Sequence, residues 1–199
     1  MNTSKLYTLL ENAKVTAIVS STNASPIEIT ANSHGYATGD IVTVNGHGTN
    51  TAANGTWTVI VTGVNTFTLT GSVGNGVGGA TGVTCKAARK IFVEDFKTVD
   101  LMIDGVTVTA TLNPVGAISD DAPDFAATQS ATNSYSFIGL ADLNLNTLIT
   151  GTTGIAVAGT NINKAYEANV NGLRWFSILP TAGTGGVFTI KARLFSDTR

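Results

Sequence analysis

Apolar and polar residues alternate along most of this chain. Ile27 and Ile29, then Ile41, Val42 and Val44, then Trp57 to Val61 and Phe67 to Leu69 form short runs of period two, bounded by Gly, Asn and Asp. Half-buried β-strands carry this signature. Turns are predicted at Ser33-His34-Gly35 and Thr38-Gly39-Asp40, and a polar loop from Asn45 to Gly55. Further strands are predicted over Ile91 to Phe96 and Val99 to Ile103. Asp104-Gly105 reads as a hairpin turn leading into Val106 to Leu112. Phe137 to Leu140, Tyr166 to Val170, Leu173 to Leu179 and Val187 to Phe195 complete the set, with loops of Gly, Asn and Thr between them, Thr181 to Gly186 among these. Helix signals are scarce. Leu6, Leu9, Leu10 and Ala13 fit a turn or two of helix over Lys5 to Lys14, but Val15 and Thr16 follow at once. Ser119 to Pro123 is turn chemistry, and Asn113 to Asn133 reads as a long loop that orders only on assembly.

Composition narrows the class. The 199 residues allow one domain or two small ones. Hydrophobic residues make up 43%, but charged residues only 12%, about half the usual share. Thr, Asn, Ser and Gly must therefore supply most of the polar surface, which leaves little repulsion between copies and suits a protein packed among neighbours. Eleven Lys and Arg against thirteen Asp and Glu give a net charge of -2. That balance argues against nucleic acid as a partner. The first residues lack the apolar run and small-residue cleavage site of a signal peptide. No apolar stretch approaches the roughly 20 residues of a membrane helix, so the protein is expected to be soluble with no membrane partner.

The polar clusters offer little chemistry. His34, Asp40 and His47 are six and seven residues apart, with no Cys near them to complete a metal set. Their expected role is to hydrogen-bond turns. Cys85 is the only cysteine, expected to be a buried apolar thiol. Gly74 to Gly79 spells G-x-G-x-x-G, but Ala80 to Thr84 cannot open the helix that a dinucleotide site needs. A hairpin tip or interdomain hinge is expected instead. Asp120, Asp121 and Asp124 lack the spacing of a calcium loop and read as a solvated loop. Trp57 and Trp175 lie in predicted strands and are expected to be core aromatics, with sugar stacking as the alternative. No catalytic, metal or cofactor-binding residue is assigned, and the expectation is a protein that is not an enzyme.

Two stretches resemble modules of tailed-bacteriophage virion proteins. Ser33-His34-Gly35, Thr38-Gly39-Asp40, Asn54-Gly55-Thr56-Trp57 and Asn65 to Leu69 match a repeat common there, also labelled as similar to the first catalytic cysteine half-domain of ubiquitin-activating enzymes. The match covers about a fifth of the sequence. Tyr166 to Ile178 followed by Thr181 to Leu194 resembles the closing strands of a virion β-sandwich, with Ala168 at one usually branched position. Tyr7 to Ala13 resembles its opening segment, but the strand expected next, Phe96 to Ile103, comes about seventy residues later. The resemblance therefore implies an all-β protein: a jelly-roll-like sandwich of 1–21 plus 85–199, interrupted by a small barrel-like β module over 22–84. The opening segment then becomes a strand of the sandwich. The function implied is a head decoration (cement) protein in the virion. It would bind the major capsid protein as a homotrimer, with its module projecting outward. A tail or fibre component and a carbohydrate-binding adhesin module are the alternatives.

Overall fold

The computed structural model describes residues 4–196, so the terminal residues of the expected sandwich, 1–3 and 197–199, lie outside it. The fold is all-β; among the described residues pairing is antiparallel throughout, with one 3-10 turn at Thr51–Ala53. In order along the sequence the strands are β1 (Ser4–Ala13), β2 (Thr16–Ala17), β3 (Ser20–Ser21), β4 (Glu28–Thr30), β5 (Ile41–Asn45), β6 (Gly55–Gly63), β7 (Thr66–Leu69) and β8 (Val83–Lys86). They continue as β9 (Ile91–Phe92), β10 (Thr98–Ala117), β11 (Ser136–Phe137), β12 (Leu140–Asp142), β13 (Thr147–Ile149), β14 (Ile155–Asn169) and β15 (Trp175–Phe195). One sheet runs β1-β15-β10-β14-β12-β13, with β11 on β10 and β9 on β15; the other runs β2-β8-β5-β6-β7-β4-β3. Among the described residues no helix is long and apolar enough to cross a membrane.

The first sheet is built on strands far longer than the sequence pattern predicts. No turn forms at Asp104-Gly105: β10 passes straight through, pairing Gly105 with Phe188 on one side and Ile162 on the other. A Cβ at Gly105 would lie 2.9 Å from the Phe188 Cβ, so this glycine permits close approach of a neighbouring strand. Thr181 to Gly186 likewise is not a loop but the middle of the 21-residue β15. Its register against β10 shifts around Thr109 to Leu112, the mark of β-bulges.

These irregularities have a common consequence. β10 buries Val99, Leu101 and Ile103, then Val108, Ala110 and Leu112, changing from odd to even residues. β14 makes the matching change between Val157 and Ile162. Thr107 (φ 52°) and Gly159 (φ 144°) sit at that level. A strand whose inward face changes parity must rotate there, and neighbours rotating together curl the sheet around its core. Both halves contribute to a single hydrophobic cluster that includes Leu101, Ile103, Leu112, Ile155, Tyr166, Phe176 and Phe188. β1 closes one edge against β15, so Lys5 to Ala13 is strand, as the resemblance implies, and not helix.

The second sheet closes on itself into the barrel-like module. Its outermost strands, β2 and β3, are separated only by Ile18 and Val19. A connection this short spans roughly 10 Å, so the two edges of the sheet must meet. Ile18 donates to the Gly82 carbonyl on one side and Val19 to the Thr30 carbonyl on the other. Inside lie Ile27, Ile29, Val42, Val44, Val59, Phe67 and Leu69. The module is rooted in the first sheet's core, because Val15, Val83 and Cys85 belong to the large cluster.

The expected loop from Asn113 to Asn133 starts later and is ordered. Asn113 to Ala117 complete β10, and Phe125 and Ala126 pack with Val115, Ala117 and Leu179 in a third cluster. Asn113 itself is buried, its Nδ2 donating to the Gly151 carbonyl at 2.6 Å.

Candidate interaction surface

His34, Asp40 and His47, too far apart in sequence to read as a metal set, serve separate local structures. The His34 ring accepts from the Tyr36 N–H at 3.0 Å through Nδ1, and its Nε2–H donates to the Gly63 carbonyl at 3.2 Å. It stacks on Tyr36 and meets Phe67 edge-on, so it fixes the turn it begins. Asp40 accepts from the Ala37 N–H at 3.0 Å and pairs with Lys86 at 3.1 Å. Burial pushes its carboxyl upward, but the Ala37 N–H and Lys86 outweigh that and hold it below the ordinary value. Among the described residues no group of three or more His, Cys, Asp or Glu could hold a metal ion. Cys85 is buried, and desolvation pushes its thiol up to about 12.

His47 is buried and anchors a polar network that the sequence pattern did not expose. Its Nδ1–H donates to the Thr81 carbonyl at 2.8 Å, which leaves Nε2 to accept from the Ser21 hydroxyl at 2.7 Å. Ser21 Oγ accepts in turn from Asn50 Nδ2 at 3.1 Å. Asn54 clasps the His47 backbone from both ends, accepting from its N–H and donating to its carbonyl. Gly78 lies over the Ser–His pair and exchanges backbone hydrogen bonds with Ser21. The glycine run is thus neither a hairpin tip nor a hinge: it is a packed seal over buried polar groups, where only glycine fits at Gly78.

The acidic cluster divides. Asp120 pairs with Arg174, which also reaches Glu94 at 3.1 Å. Asp124 is no solvated side group. It accepts from the Thr56 N–H and hydroxyl, both at 2.8 Å, and from the Ala126 N–H, fastening the β10–β11 loop to the module. Both tryptophans are half-buried at the margins of the smaller clusters, not inside a core. Trp57 donates its indole N–H to the Ala53 carbonyl and Trp175 to the Ser119 carbonyl, so neither offers that donor to a sugar.

The β12–β13 tip carries exposed leucines with no internal role. Leu143, Leu145 and Leu148 are 52%, 65% and 88% exposed, three leucines within six residues. Soluble proteins seldom cluster large apolar groups this way without a partner. The tip is also rigidly built. Asp142 is buried and accepts from the Asn144 N–H, the Asn144 side-chain amide and the Leu145 N–H at 2.8–3.1 Å. Burial raises its carboxyl, but these donors and Lys164 hold it below the ordinary carboxylate range. Asn144 also donates to the Ala165 carbonyl, and Asn146 takes the left-handed conformation (φ 54°) that closes the turn. Concavities of about 410 and 420 Å³ flank Leu148, the first bordered by Leu140 and Glu167, the second by Leu145, Lys164 and Tyr166. The sequence signal was present in Asp142-Leu143-Asn144-Leu145-Asn146, where turn formers alternate with leucines.

No family model matches the sequence, and no curated protein does. Among solved structures it is similar to the SPBc2 prophage-derived protein YomS at 10% identity and a TM-score of 0.45, over 98% of this protein and 96% of that one. A likeness at this level carries no argument about function.

Proposed function

We propose that this protein is a structural component of a tailed-phage virion, a head decoration (cement) protein that acts by binding and not by catalysis. The sequence motifs supply the class, and the rigid leucine tip is the observation that carries the binding role. Its partner is the lattice of the major capsid protein. Complete burial of one leucine is worth about 1.5–3 kcal/mol, and the surface these three still expose amounts to about two side chains, so the tip contributes roughly 3–6 kcal/mol before the cost of association is met. The tip is also far smaller than the ~800 Å² per partner of a stable pairwise interface. A contact of this size suits a protein that engages many equivalent sites at once, and a homotrimer presenting three tips gains by effective concentration. Binding only the assembled shell stabilises it by mass action.

The test is to mix purified protein with capsids that lack it, then follow co-sedimentation and the melting temperature of the shell. Saturable binding with a raised melting temperature is expected, and Leu148→Asp should abolish both while leaving the free protein's melting unchanged. Absence of binding by the wild-type protein refutes the cement role and moves the assignment to the tail, to be followed by adsorption to host cells.

A further inference from the structure

Four Asn-Gly pairs occur in the sequence, at Asn45-Gly46, Asn54-Gly55, Asn75-Gly76 and Asn171-Gly172. The structure treats them very differently. We infer that Asn171 is a site of spontaneous deamidation and that the other three are protected by the fold. In this reaction the backbone nitrogen of the following glycine attacks the asparagine Cγ. A new bond forms between that nitrogen and Cγ, the Cγ–Nδ2 bond breaks, and ammonia leaves. Water then opens the cyclic imide at either carbonyl, giving aspartate or isoaspartate, with no oxidant or reductant needed. Glycine favours the step because it lacks the Cβ that would hinder approach and restrict the backbone.

Asn171 has what the reaction needs. It lies in the exposed turn between β14 and β15, its side-chain amide makes no hydrogen bond among the described residues, and a Cβ on Gly172 would meet nothing within 4 Å. Only its backbone N–H is engaged, by Asn169 Oδ1 at 2.9 Å. Asn54, by contrast, has its amide held at both ends by the His47 backbone. Asn75 Oδ1 accepts from the Ala52 N–H, and its Nδ2 donates to Thr51 Oγ1. Asn45 sits within β5, paired with Val83. Freeing an amide held by two hydrogen bonds slows attack by roughly tenfold or more. Conversion at Asn171 adds one negative charge to a protein of net charge -2 and breaks no side-chain hydrogen bond of Asn171 among the described residues.

The experiment incubates the full-length protein at mildly alkaline pH and quantifies the one-dalton gain at each asparagine by peptide mass spectrometry, with a parallel incubation in strong denaturant. In the native protein Asn171 should convert at least about tenfold faster than Asn54 or Asn75, and in denaturant the four rates should converge. Native conversion of Asn54 or Asn75 as fast as Asn171 would overturn the inference. So would an Asn171 rate suppressed tenfold by folding.

Discussion

Gly78 and Gly79 are neighbours, yet alanine should separate them sharply. A Cβ on Gly78 would stand 2.1 Å from His47 Nε2 and 2.5 Å from Ser21 Oγ, far inside van der Waals contact. Relief comes in one of two ways. The segment lifts and breaks the reciprocal hydrogen bonds with Ser21 (3.0 and 3.1 Å), or the imidazole swings out and abandons Ser21 and the Thr81 carbonyl. Either route loses two hydrogen bonds at about 1 kcal/mol each and leaves a buried polar group unpaired at about 1–3 kcal/mol. The sum is about 3–5 kcal/mol, and at about 2–4 °C per kcal/mol for a protein of this size the melting temperature should fall by roughly 6–20 °C. Gly79 has nothing within 4 Å of its Cβ position, and Gly79→Ala should stay within about 0.5 kcal/mol of wild type. Thermal melts and urea midpoints of the two variants decide the matter. If Gly78→Ala melts within about 2 °C of Gly79→Ala, the seal over the Ser21–His47 pair does not exist and the glycine run is a mobile turn.

Three further outcomes follow from the same contacts. Asp124→Ala removes the acceptor for three hydrogen bonds and should lower the urea-derived stability by about 2–3 kcal/mol, with Asp124→Asn intermediate. Asp142 has a folded-state pKa below its unfolded value, so its stabilisation is complete above the unfolded value near 3.9 and is lost as pH falls through the folded one. The urea-midpoint gap between wild type and Asp142→Asn should therefore be open at neutral pH and close in acid; a gap that is constant with pH refutes the carboxylate's role. Cys85, with its thiol pushed up to about 12, should resist thiol-directed disulfide reagents at neutral pH in the native protein and react readily in denaturant.

How far the fold was legible in the sequence depended on how local the cause was. The apolar pattern located β5, β6 and β7 within a residue or two, because Val42, Val44, Val59, Phe67 and Leu69 enter the module's core and turn formers lie beside them. The same reasoning failed at Gly105 and at Gly183 to Gly186, which look like turn glycines in any short window. Their cause lies elsewhere: Gly105 yields to Phe188, and a Cβ on Gly183 would stand 2.9 Å from the Val15 side group. Asp124 is a similar case, since Thr56 is 68 residues away and nothing near Pro123 announces it. Ser21 escapes notice for the same reason, since it is 26 residues from His47, whereas Asn50 and Asn54 share the loop of His47 and gain their roles only when that loop folds against β3.

The leucine tip differs from these, and the difference bears on function. Every determinant of its shape is local, from the Asp142 carboxylate to the left-handed Asn146, and the leucines alternate with them in a run of a few residues. What the sequence could not show is that no core receives those leucines. The Asp142 carboxylate stands at the start of this turn and is held there by the turn's own donors, which offset the cost of burying a charge. Asp142 is buried and bonded to the turn that carries the leucines, so their outward geometry is set before any partner arrives. Ordering a flexible tip would consume part of the binding energy of a small contact. A tip ordered in advance keeps that energy for its partner, which is what the proposed weak, many-copy attachment requires.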